Sequence, residues 1–131
     1  MKDILYQDFQ NTVSDLLARH KSLLDIMTKL QESAGRVNRA VAKAVTSCGC
    51  IELHATKQEV PDGISLEEIK HYMKSHMEGT LCENCRDIIE KELGNHLFYL
   101  AALANTLQIS LYDTLLKEED YLTALGKFHL K

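Results

Sequence analysis

The chain has no tryptophan, a single proline at Pro61, and aromatic residues make up only 6% of it. A β-sandwich needs many strand formers and frequent turn breakers, so these shortages favour a helical protein. A basic excess is also missing: 15 Lys and Arg against 19 Asp and Glu leave a net charge of -4. That excludes a general nucleic-acid-binding surface, because phosphate contacts require clustered cations. Arg36, Arg39 and Lys43 form only a small basic patch. No apolar run is long enough to span a bilayer, the longest being Leu97 to Ala104. The opening Met1-Lys2-Asp3-Ile4-Leu5-Tyr6-Gln7 lacks the basic start and apolar stretch of a secretory leader. The expected compartment is the cytoplasm, where stable disulfides are uncommon.

What remains is 131 residues, 45% of them hydrophobic, which suits one helical domain with a real core. Phe9, Val13, Leu16, His20, Leu23, Met27, Leu30, Ala34, Val37, Val41 and Ala44 alternate in steps of four and three. This spacing predicts one long helix, or two in near-continuation with a break near His20 to Ser22. Ile51 to His54 reads as a short extended piece, and Pro61-Asp62-Gly63 as a turn. Ser65-Leu66-Glu67-Glu68 has the form of a capping box and predicts a short helix to about Met77, closed by Gly79 and Thr80. Leu93, Leu97, Leu100, Ala104 and Leu107 mark a further helix, Gln108 to Ser110 a break, and Leu111 to Leu125 a last helix stopped by Gly126. The expectation is an all-α bundle of four to five helices in one domain, 1–131, with a cysteine-bearing crossover over 47–85.

The four cysteines fall into two tight pairs, Cys48-Gly49-Cys50 and Cys82-Glu83-Asn84-Cys85, with none left over. Two such pairs joined by a loop can gather four thiolates around one ion. Gly49 permits the sharp turn that lets both thiols of the first pair point one way. The second pair opens a helix, whose N-terminal dipole favours thiolate. A closed four-thiolate shell leaves no place for a reacting water, so zinc here would be structural. An iron–sulfur cluster also takes four cysteines, although the spacing matches neither common ferredoxin run. A dithiol redox switch through Cys82 and Cys85 and four unligated thiols stay open as readings, and His54, His71 or His76 could replace a thiolate.

Glu92-Leu93-Gly94-Asn95-His96-Leu97-Phe98-Tyr99-Leu100-Ala101-Ala102-Leu103-Ala104-Asn105, followed by Leu107 to Leu111, resembles the MazG-like all-α nucleotide pyrophosphohydrolases, whose later helix reads roughly E-L-x-D-x-L-x-Y-L-x-x-L-A. The upstream Leu30-Gln31-Glu32-Ser33-Ala34-Gly35-Arg36-Val37 is similar to that family's first catalytic helix, and with the last helix the match covers about half of the chain. The resemblance implies carboxylates that hold magnesium on a nucleoside triphosphate and orient a water, and it implies an oligomer, expected to be a homodimer. Glu32 and Glu92 fall on family acidic positions, with Asn95 where an aspartate is usual. Ser33 and Arg36 replace two further acidic residues, and the cysteine-bearing insert lengthens the gap between the motifs. Arg36 puts positive charge where magnesium would sit. The expected protein is therefore a divergent member with weak or no pyrophosphohydrolase activity, acting as a helical interaction or regulatory module. An active magnesium-dependent enzyme using Glu32, Glu92 and Asn95 and a thiol redox sensor are the alternatives.

Overall fold

The structure, a computed structural model, describes residues 1–126. Among the described residues the chain forms helices α1 (Lys2–Leu16), α2 (Leu23–Lys43), α3 (Glu83–Thr106) and α4 (Leu111–Leu125). Strands β1 (Ile51–Leu53) and β2 (Met77–Gly79) make an antiparallel two-stranded ribbon in the crossover. The expected helical class stands, with this ribbon added. No helix among the described residues is long and apolar enough to cross a membrane.

The breaks follow local chemistry. The heptad pattern is cut into α1 and α2 where Leu17 turns extended, at φ -70 and ψ 107. Polar residues from Arg19 to Ser22 then offer no apolar surface to bury. α4 starts at Ser110, whose hydroxyl accepts the Asp113 N–H at 3.2 Å, and stops at Gly126 in a left-handed-φ conformation of 51°.

The helix expected over Ser65 to Met77 is not formed. A 3₁₀ turn, Ile69–His71, stands in its place, and Met77 belongs to β2. Residues 66–75 are almost all exposed, so an amphipathic helix there has no apolar surface to dock on, and a short undocked helix is marginal. His76, at φ 63, turns the chain out of any helix and into the ribbon.

α2 and α3 run antiparallel and form the main helix pair. A first core cluster joins Val13 of α1, Ile26 of α2, and Ala101 and Ala102 of α3, with Leu17, Phe98, Leu103 and Leu111 against it. A second cluster at the far end of the pair joins Ala44, Ile51, Cys85 and Ile89. α1 is fastened by one buried amide. Gln10 Nε2 donates to Asn105 Oδ1 at 2.9 Å and to Ile109 O at 3.0 Å, while Gln10 Oε1 accepts the Leu111 N–H at 2.9 Å. Asn105 Nδ2 returns a bond to Gln10 O at 2.8 Å. Burying Gln10 is tolerable because its donors and acceptor are all used.

Candidate metal centre

The first cysteine pair is built at the end of α2. The helix widens into a π turn, Ala44–Cys48, and ends at Gly49, whose φ of 79° suits glycine and whose N–H donates to Ala44 O at 2.9 Å. Cys50 then leads into β1. The second pair is brought alongside by the ribbon, in which Ile51 pairs with Gly79, Glu52 with Glu78 and Leu53 with Met77. Gly79 has a φ of 87°, and a Cβ there would lie 2.6 Å from the Cys50 carbonyl oxygen. Only glycine lets the strands close at this point, three residues before Cys82. Cys82 caps α3, its Sγ accepting the Cys85 N–H at 3.4 Å.

All four Sγ atoms lie within 4.8 Å of one another, and Cys48 Sγ is 3.8 Å from Cys82 Sγ. Four thiolates at about 2.3 Å from a tetrahedral zinc ion are about 3.8 Å apart, whereas a disulfide needs about 2.05 Å. The cysteines are free. The set can hold a metal ion. Among the described residues no histidine belongs to this group, so the thiols need no replacement by His54, His71 or His76.

The electrostatics fit the same role. The Cys85 N–H, followed by the Cys85 thiol, lowers the Cys82 thiol to about 7. Cys82, followed by burial, pushes Cys85 up to about 12. Four thiols crowded this closely cannot all ionise without a cation, and a dication removes that conflict. Lys43 lines the same small cavity as Ser47, Cys48, Asn84 and Cys85, placing a cation beside a site whose four thiolates would outweigh a dication.

The carboxylates lie elsewhere on the α2–α3 pair and are engaged differently. Arg36 Nε donates to Glu92 Oε2 at 3.0 Å, and Arg36 lies 3.9 Å from Glu32 Oε1. Lys29 adds a contact to Glu32 at 3.3 Å. The guanidinium thus takes the place between Glu32 and Glu92, and Glu92 raises the Arg36 pKa further, making it a fixed charge. Ser33 is buried, and its hydroxyl lies 2.8 Å from His96 Nδ1. Asn95 is exposed and takes no part in this network. The adjoining groove, lined by Arg36, Arg39, Ala40, Lys43, Ile88 and Glu92, has about 230 Å³, less than the roughly 300 Å³ at which small-molecule sites begin.

A second group escaped the sequence reading. Glu52, His54 and Glu78 meet on the exposed face of the ribbon, with His54 Nε2 3.0 Å from Glu52 and 3.5 Å from Glu78. Finding it needs the strand register, because Glu78 lies far along the chain from the other two. Compared with known protein families, with curated proteins and with solved structures, the chain has no match.

Proposed function

We propose that the chain is a divergent MazG-like protein whose four thiolates hold a structural zinc ion and whose helices serve as an interaction or regulatory module. The observation that carries the metal reading is the convergence of Cys48, Cys50, Cys82 and Cys85 within 4.8 Å at a helix N-terminus. Thiolate softness and the closed donor set favour zinc, in a place with no open position for water. The ion ties the end of α2 to the start of α3. Support for lost or weak pyrophosphohydrolase chemistry is the Arg36 guanidinium lying between Glu32 and Glu92, where a magnesium ion would need both carboxylates.

Elemental analysis with an absorption spectrum tests the metal: one zinc per chain and no visible colour is the expected result, and brown iron absorption would replace zinc with an iron–sulfur cluster. A panel of nucleoside triphosphates with magnesium tests the chemistry, and little or no pyrophosphate release is expected. Turnover abolished by Glu92→Gln would instead make the chain an active pyrophosphohydrolase. Reversible loss of two thiols under mild oxidation, with no metal bound, would make it a redox sensor.

A further inference from the structure

The β1–β2 ribbon carries donors of a different chemistry from the four thiols. Side chains two apart in a strand share a face, so Glu52 and His54 stand together on one side of the ribbon. The register puts Glu78 directly opposite Glu52, on that same side. Beyond the last paired residues the His54 N–H donates to His76 O at 2.8 Å, which holds His54 beside the two glutamates. Two carboxylates and one imidazole thus meet with their ligand atoms all within 4.8 Å of one another.

Two observations point to a ligand here. The first is electrostatic. Glutamates directly opposite each other across a strand pair repel. The side chain paired with both is His54, whose Nε2 lies 3.0 Å from Glu52 and 3.5 Å from Glu78. Even fully protonated, it sets one positive charge against two negative ones. The second is an orphaned atom. A cavity of about 450 Å³ adjoins the group, and His54, Glu78, Lys74 and His76 all line it. Lys74 shares that wall without an ion pair to either glutamate. His76 Nε2 is shut from solvent and has no hydrogen-bond partner. Buried polar nitrogens are nearly always paired, and water carried by a bound ion is a partner this one can take.

We propose that Glu52, His54 and Glu78 form a second metal site, for a divalent transition cation, separate from the thiolate centre. One imidazole with two carboxylates is a nitrogen–oxygen set of the kind that takes zinc, nickel or cobalt. Donors about 2.0 to 2.2 Å from one ion lie about 2.8 to 3.6 Å apart, and His54 stands within that range of both glutamates. Binding exchanges a proton for the ion. Nε2 releases its hydrogen to solvent and gives its lone pair to the metal, while the glutamates turn from hydrogen-bond acceptors into ligands. Three protein donors leave positions open on this ion for water or a small anion, whereas four thiolates close theirs. The ion would also clamp β1 to β2 one rung from the Ile51–Gly79 pair. The site rests on the ribbon alone, not on zinc at the cysteines.

The test uses the whole untagged chain, loaded with zinc and then titrated with cobalt(II) chloride. Elemental analysis is expected to find one cobalt per chain added with the zinc content unchanged. Cobalt is paramagnetic, so the His54 ring signals should broaden in NMR spectra before those of His20 and His71, two histidines away from the group. His54→Ala and Glu78→Gln are each expected to weaken cobalt binding about tenfold or more by calorimetry, since even the outer partners of metal ligands are worth that much. All three ligands are exposed, so helical circular dichroism should stay unchanged in both variants. Cobalt that broadens His20 and His71 as readily as His54 overturns the site, as does an affinity that Glu78→Gln leaves unchanged. Zinc at the cysteines with no cobalt at His54 sinks this site and leaves the thiolate reading standing. Cobalt at His54 in a chain whose cysteines take no zinc supports this site and sinks the thiolate reading instead.

Discussion

The two ends of chemistry on the α2–α3 pair make an instructive contrast. At the cysteine end, four donors converge, and among the described residues no protein cation enters their midst. Along the middle of the same pair, two carboxylates also converge, yet Arg36 sits between them. Each place brings metal-type donors together. They differ in whether the charge the donors accumulate is left for an ion or answered by the chain itself. Four thiols with conflicting ionisation leave a place for a cation from outside. Two glutamates bonded to a guanidinium do not.

The largest effect should come from removing the ion that the cysteine end can hold. A strong chelator, or Cys85→Ser, is expected to release the ion and lower the melting temperature by roughly 15 °C or more, with loss of the ribbon. Unchanged melting after complete metal loss would erase the distinction between the two regions. Gly79→Ala comes next, because its Cβ would meet the Cys50 carbonyl at a φ of 87°. A cost of about 3 kcal/mol and weaker metal retention are expected, read by denaturant unfolding and competition with a chelating dye.

A smaller change would make the middle region behave like the cysteine end. Arg36→Glu leaves Glu92 and the new carboxylate without a cation, with Lys29 alone beside Glu32. The variant is expected to gain a weak manganese site, with a Kd of the order of about 1 mM by calorimetry, which Glu92→Gln then removes. Absence of manganese binding would show that Arg36 alone does not account for the contrast. The smallest effect concerns His54, whose pKa is raised above 6.5 by its hydrogen bond to Glu52 and then by Glu78. A histidine raised by folding stabilises the fold below its unfolded pKa, and the benefit is lost as pH climbs through the folded value. NMR should place the His54 midpoint above 6.5, and Glu52→Gln should bring it down.

The features legible in the sequence are those set by neighbours in the chain. The four-and-three spacing marked α2, α3 and α4, Gly126 marked the last stop, and the paired cysteines announced their own meeting. The crossover was less legible because its outcome depends on surfaces far away. The Ser65 capping box signals a helix start, but nothing nearby offers that helix a face to bury, and Met77–Gly79 pairs instead with β1. The charge of Arg36 is plain in the sequence. Its bond to Glu92, across 56 residues, could be read only once α2 and α3 were set side by side.

The Gln10 amide has a consequence in time. Its partners lie 95 to 101 residues further along the chain. At about 5 to 20 residues per second of synthesis, α1 is made roughly 5 to 20 s before the groups that hold it. During that interval its apolar side has no lasting place to rest, while α2 and α3 can already close on each other. α1 is thus made well before the groups that fasten it, and a nascent chain stalled before Leu111 would leave it open to proteases and chaperones.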